Sequence, residues 1–280
     1  MKRIFLTLVI VANLVTFGSA QILDGIYENE HVPSRRPVPY YFIREADMMW
    51  TKRIWRIVDL REKINHPLYY PVTKIGSRMS LIDLLLWGIK NEGLVAYKTT
   101  DDRFTAPMTT NDIDVEFDAV PRTVQQEDPE TGQMKEITIQ GSITSSEVKQ
   151  YMLKEEWFFD RQRSSLDVRI IGLCPIRFYK KSLGTGQDEE ERKKQVFWIY
   201  FPEARRILAN HEVFNPFNDS DRKTFDDIFF KRRFSSFAVR QSNVYDDREI
   251  MEYRHGVQAM LEAEKIKDMI FKLEVDLWEY

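Results

Sequence analysis

Lys52-Arg53-Ile54-Trp55-Arg56-Ile57-Val58-Asp59-Leu60 is the stretch on which the fold class turns. Positions 54, 57 and 58 fit helical spacing, while positions 54, 56, 58 and 60 fit strand alternation. We read it as a strand. Just upstream, Arg44 to Trp50 reads as helical, so the two segments together predict helix running into strand.

Downstream the same mixture continues. Ser80 is placed to cap a helix over Leu81 to Asn91 that closes on Gly93, followed by a strand over Leu94 to Lys98. Residues 122 to 140 read as strand, turn, strand, because Asp128-Pro129-Glu130-Thr131-Gly132 supplies turn residues and Ile137 and Ile139 alternate with polar ones. Ser145 or Ser146 is expected to start a helix through Glu156, followed by a strand over Leu166 to Tyr179. Ser182 to Lys194 is rich in glycine and charge and reads as a mobile loop. A short strand, Val196 to Phe201, leads into a helix opened by Pro202 that fades near Asn210. From Arg248 to Glu274, Ile250, Tyr253, Val257, Met260, Leu261, Ile266, Met269, Ile270 and Leu273 recur at steps of three and four, predicting one long amphipathic helix.

The fold class is therefore α+β, with a long C-terminal amphipathic helix. Arg56-Ile57-Val58 followed by Pro67 to Pro71 and a helix parallels Arg169-Ile170-Ile171 followed by Tyr200-Phe201-Pro202 and a helix, which suggests two weakly related α+β halves. The expected organisation is a signal peptide (1–20), an extended N-terminal arm (21–41), an α+β domain (42–245, halves about 42–120 and 145–245) and the C-terminal helix (246–280).

Lys2 and Arg3 precede an apolar stretch from Ile4 to Phe17, and Gly18-Ser19-Ala20 offers the small residues of a cleavage site. That stretch is too short for the roughly 20 residues of a bilayer span, so cleavage and export are expected, with Gln21 starting a soluble mature chain. The 280 residues include 41 Lys and Arg against 44 Asp and Glu, a net charge of −3 that argues against nucleic acid as a partner. With 4 His scattered and 1 Cys, neither a disulfide framework nor a zinc site is indicated. Cys174, in the apolar run Val168-Arg169-Ile170-Ile171-Gly172-Leu173-Cys174-Pro175, reads as a buried thiol, with a disulfide to another chain as the other reading.

No catalytic constellation is legible, and no cofactor or metal is implied. The pairs Asp101-Asp102, Asp226-Asp227 and Asp246-Asp247 are the material for one alternative, a periplasmic carbohydrate-active hydrolase. That chemistry needs two carboxyl groups roughly 5 to 9.5 Å apart in a cleft. A binding module with an apolar pocket is a further alternative. More unusual are aromatics interleaved with Arg, in Trp50 to Arg56, in Trp157-Phe158-Phe159-Asp160-Arg161 and in Phe229 to Phe234. Trp and Arg together serve as interface anchors. The same runs read equally as core rings covered by Arg stems.

These segments resemble the GldN/PorN family of the type IX secretion and gliding machinery. The resemblance is carried by Arg44 to Asn65, Pro67 to Pro71, Glu155 to Ser164 with Val168 to Gly172, Val213-Phe214-Asn215, Asp226 to Phe229, Arg233 to Phe237 and Ser242-Asn243. It implies a non-enzymatic periplasmic subunit that joins an outer-membrane lipoprotein of the GldK/PorK type in a large ring, itself without membrane insertion. It also implies contact with the periplasmic part of a proton-driven GldL/GldM motor and transmission of its motion to protein export. On this reading Trp50, Arg53, Trp55, Arg56, Trp157 and Arg161 are the candidate partner-contact residues, and the C-terminal helix is the next candidate surface.

Overall fold

The computed structural model describes residues 34–127, 134–139, 141–181, 190–215, 218 and 220–277. The expected signal peptide, most of the expected arm, the turn at 128–133 and residues 182–189 lie outside the described residues. The opening stretch is a strand, β1 (Met48–Asp59), and the helix expected over Arg44 to Trp50 shrinks to one 3-10 turn, Glu45–Asp47. Trp50 and Lys52 are drawn into the ladder by pairing with Phe159 and Trp157, so a tertiary partner overrides the local helix preference.

After β1 come α1 (His66–Tyr69), α2 (Leu81–Asn91), β2 (Ala96–Tyr97), α3 (Thr110–Glu116), β3 (Arg122–Glu127), β4 (Met134–Ile139), β5 (Val148–Asp160) and β6 (Ser165–Lys181). The chain continues through β7 (Glu190–Gln195), β8 (Trp198–Tyr200), α4 (Phe201–Ala209), α5 (Phe225–Phe230), β9 (Phe237–Gln241), α6 (Ile250–Tyr253) and α7 (Val257–Asp276). The fold is α+β. The main sheet runs β2-β8-β6-β5-β1-β9, with β7 paired to β6 beside β8, and each pairing is antiparallel. β3 and β4 pair only with each other, as the alternation there predicts.

Three expectations are corrected. Ser145 to Glu156 is not a helix. Apart from a 3-10 turn it is β5, the strand between β1 and β6. Between Val148 and Glu155 every residue but Lys149 is buried, so the period-two pattern disappears and the helix formers Met152, Leu153 and Lys154 mislead. Residues 190–194 are not loop but most of β7, which pairs with Ile176–Lys181. Glu190-Glu191-Arg192-Lys193-Lys194 carries no apolar signal because it is an edge strand, where charge deters further pairing. The long C-terminal helix is two helices, broken where Gly256 takes φ +59°, a conformation in which only glycine is unstrained.

Other elements follow their local chemistry. The Ser80 hydroxyl accepts from the Asp83 N–H to cap α2, and Gly93 leaves the helix end with φ +70°. Pro202 sits in the first turn of α4. On one face of the sheet, Val58, Tyr151, Leu153, Ile170 and Leu173 pack with the apolar sides of α2, α4 and α5. On the same face, Ile54 and Ala238 pack with Ile250, Ala259, Ile266 and Ile270 of α6 and α7. The opposite face holds Trp55, Met152, Cys174, Ile176, Phe178, Trp198 and Val239, with Phe104 packed on them from the segment after β2. Cys174 is fully buried, and burial pushes its thiol far above the ordinary range.

Candidate partner-contact surface

Strand alternation sorts the candidate residues before any partner is considered. Trp55 points to the face packed by Phe104 and is 1% exposed. Its indole Nε1–H donates to Asp102 Oδ2 at 2.9 Å, and the Arg240 guanidinium lies 4.0 Å from the ring centroid. The same carboxylate accepts from Arg240 at 3.0 Å and pairs with the Lys154 ammonium at 3.3 Å. Burial pulls the Lys154 pKa down, against the opposing pull of Asp102. Asp102 thus ties the 98–107 strap to the sheet, and Trp55 is a core residue.

Arg56 is on the helical face and half-buried. Its Nε donates to Ser236 Oγ and its Nη2 to the Ser236 carbonyl, both at 2.9 Å. Burial lowers its pKa, with Glu155 acting in the opposite direction. Glu155 is fully buried between the two helical-face clusters and is paired with Arg232 at 2.9 Å. Arg56 therefore holds β1 to the start of β9, and any effect it has on a partner is indirect.

Of the other four, Trp50, Trp157 and Arg161 lie where β1 begins and β5 ends, and Arg53 lies at the middle of β1. Arg53 is exposed and meets Glu156 across the ladder at 3.4 Å, a surface pair of the kind that contributes little to stability. Trp157 is half-buried, with its Nε1–H on Glu155 Oε2 at 3.2 Å and the Arg232 guanidinium 5.3 Å from its ring. Trp50 is half-buried and walls a groove of about 440 Å³ with Met269, Lys272 and Leu273 of α7. Arg161 is exposed at the β5–β6 turn, anchored through its backbone N–H to the Asp47 carbonyl at 3.0 Å. The structure places Trp50 and Trp157 on the helical face at one end of the sheet with Arg161 at the adjoining turn, whereas Arg53 sits mid-strand on the opposite face, the face of Trp55 and Lys154, and Arg56 is tied to Ser236.

Two further surface features stand beside these six residues, one that the sequence does not mark and one on the C-terminal helix, the next candidate surface. The first is residues 35–41, which lie extended and are held by side chains. The Tyr40 ring has the Arg205 guanidinium at 4.2 Å and that of Arg169 at 4.8 Å, and Tyr41 has Arg169 at 4.8 Å and Arg163 at 3.4 Å. Arg205 is itself clamped by Asp226 through bonds of 2.8 and 3.0 Å. Tyr41 donates to Asp167 at 3.1 Å, and Arg35 pairs with Asp227 at 2.9 Å. Burial raises the pKa of both tyrosines, and Asp167 adds to the rise at Tyr41. Tyr40 and Tyr41 are visible in sequence, but nothing local marks the arginines that receive them.

The second is the outer side of α7. Periodicity places Val257, Met260 and Leu261 in the buried stripe, yet they are 71%, 72% and 58% exposed, and Phe271 is 63% exposed. Ala259, Ile266 and Ile270 face the sheet instead.

The acidic pairs serve the fold. Asp102 holds the strap, Asp226 holds Arg205, and Asp227 forms a capping box with Thr224 at the start of α5. Asp246 and Asp247 both lie at φ +53° in a turn, where Asp247 accepts from the Asn243 N–H, and not at a helix start. Nothing in these contacts supports the hydrolase reading. Among the described residues no cluster of three or more His, Cys, Asp or Glu is placed to hold a metal, and no helix is long and apolar enough to cross a membrane.

No curated protein is a significant match to the chain. The sequence profile described as "Gliding motility associated protein GldN" matches residues 43–279, from just before β1 to beyond the end of α7. This span takes in the whole α+β domain and the C-terminal helices, and the chain belongs to the GldN family.

Proposed function

We propose that the protein is a non-enzymatic structural subunit of the periplasmic ring of the type IX secretion and gliding apparatus. In this reading it assembles with an outer-membrane lipoprotein of the GldK/PorK type and with copies of itself, and it couples the GldL/GldM-type motor to protein export. Family membership supports the machinery, and the apolar, positively charged leader at 1–20 supports export to the periplasm.

The observation that carries a scaffold role is the end of the sheet at Trp50, Trp157 and Arg161, with Arg53 further along β1. Two tryptophans stand half-open there on one face, with the exposed Arg161 at the adjoining turn and the exposed Arg53 on the opposite face of β1. Large rings and guanidinium groups with free surface make efficient interface anchors. Trp55 and Arg56 are too deeply built into the fold to test this, so the informative substitutions are Trp50→Ala with Arg53→Glu and Arg161→Glu.

The test is affinity purification of the tagged chain from its native envelope in mild detergent, with mass spectrometry and negative-stain microscopy of the eluate. The wild type is expected to bring lipoprotein and motor subunits in ring-shaped particles. The triple variant is expected to lose them while keeping its thermal midpoint. Full recovery of partners by the variant would remove this end of the sheet from the interface, and a partner-free wild-type monomer would sink the ring reading.

A further inference from the structure

The outward side of α7 carries a second pattern, distinct from the residues that bury it. Val257, Leu261, Glu264, Asp268, Phe271 and Val275 succeed one another in alternate steps of four and three residues. That is the spacing of the a and d positions of a coiled-coil seam. All six are exposed, whereas Ala259, Ile266 and Ile270 take the opposite side against β1, β9 and α6. From Val257 to Val275 the seam is about 27 Å long at 1.5 Å per residue. Apolar side chains grouped in this way on the solvent side of a soluble domain mark a contact surface more often than they occur singly by chance.

The charges decide what the contact is. The two central positions of the seam are acidic, and the positions flanking this centre are basic, Lys265 and Lys272 on one side and Lys267 on the other, while Glu274 is acidic near the C-terminal end. Lys267 bonds Glu264 at 3.0 Å and Lys265 bonds Glu262 at 3.2 Å, all at the surface. A second copy of α7 fits poorly. Paired antiparallel about the middle of the seam, Glu264 of each helix would face Asp268 of the other, and paired parallel each carboxylate would face its own twin. Either arrangement buries like charges together. A lipid surface fits no better, since burying the apolar ends would carry two carboxylates into the boundary of the bilayer.

We infer that the outer face of α7 docks an amphipathic helix of another protein that places apolar side chains against Val257, Leu261, Phe271 and Val275 and basic ones against Glu264 and Asp268. The lysines flanking the seam then select acidic residues at the partner's flanking positions, so that charge fixes register and orientation while the apolar ends supply the contact area. The inference does not rest on the ring assignment and survives its failure, because it concerns the chemistry of one face.

The test uses two synthetic 21-residue helices labelled for fluorescence anisotropy. Both carry leucine and isoleucine at the outer seam positions and glutamate at the flanks, and they differ only in having lysine or glutamate at the two central seam positions. The full chain is expected to bind the lysine peptide at least tenfold more tightly than the glutamate peptide. Glu264→Lys with Asp268→Lys is expected to reverse the preference, and Phe271→Ser to weaken binding of the lysine peptide at least tenfold. These side chains are exposed, and circular dichroism of each variant checks that the fold is retained. Equal binding of the two peptides, or none by the lysine peptide, would overturn the inference. So would a concentration-dependent dimer of the full chain abolished by Phe271→Ser, which would seat a second copy on the face.

Discussion

The Arg205 guanidinium lies 4.2 Å from the centroid of the Tyr40 ring while both its bonds to Asp226 stay within 3.0 Å, so one buried cation ties α4 to α5 and receives the N-terminal segment. The segment from Arg35 to Tyr41 is thus attached to the body by stacking and ion pairs and by no backbone ladder.

Removing the rings releases that segment. Tyr40→Ala with Tyr41→Ala is expected to raise the rate of tryptic cleavage after Arg35 about tenfold, while costing the domain only about 1 to 3 kcal/mol from lost cation–π contact and burial. Limited proteolysis followed by mass spectrometry reads the cut sites, and an unchanged rate would mean that the stacks do not retain the segment.

The clamp beneath Tyr40 is less tolerant. Arg205 and Asp226 are both buried, so Asp226→Asn leaves a buried guanidinium without its charge partner and is expected to cost about 3 to 5 kcal/mol in urea unfolding. A loss below about 1 kcal/mol would show that water reaches the pair.

Asp59 makes stability depend on acid. Hydrogen bonds from the Arg61 side chain hold its carboxyl down at about 2, from an ordinary value of 3.8, with the Arg61 N–H and Gln150 adding to the effect. The folded state favours the charged form, so the contribution is complete above pH ~4 and is lost as pH falls through about 2. Arg61 is 68% exposed, which screens the interaction and reduces its worth at neutral pH to about 1 kcal/mol. Asp59→Asn should be destabilised by that amount at pH 7, and its unfolding curve should converge on the wild type's as the pH is lowered toward 2.

Tyr151 predicts a change in the other direction. Its hydroxyl is buried on the helical face of β5 with no hydrogen-bond partner among the described residues, and burial raises its pKa well above the usual tyrosine value. Tyr151→Phe removes an oxygen that must be desolvated for no return, and is expected to leave stability unchanged or raise it by up to about 1 kcal/mol. A clear loss in differential scanning calorimetry would reveal a partner for that oxygen.

Legibility in the sequence follows the range of the forces involved. The α2 cap at Ser80 and the turn into α4 at Pro202 are local chemistry and are readable from neighbouring residues. β5 is not, because its conformation is imposed by β1 about 100 residues earlier and β6 after it, and because burial on both faces erases alternation. The apolar spacing of α7 is readable, but Leu261 and Ile266 satisfy the same steps of three and four, and only the sheet beneath tells which is inside. At the candidate surface, Trp50 and Trp55 are alike in sequence. One residue of strand parity and the distant Asp102 make the second a core residue.

The strand order carries a consequence for how the molecule comes into being. β1 is the first strand of the sheet to leave a ribosome or enter a new compartment, yet its neighbours are β5 and β9, from Val148 and Phe237 onward. Synthesis proceeds at roughly 5 to 20 residues per second, so β1 waits several seconds for its first ladder and longer for its second. Contacts of such long sequence separation also close slowly once both halves are present. Throughout that interval Ile54, Trp55 and Val58, among the most buried residues of the finished domain, lack the neighbouring strands that cover them. The protein therefore carries uncovered apolar surface on β1 until Val148 onward, and then Phe237 onward, have joined it.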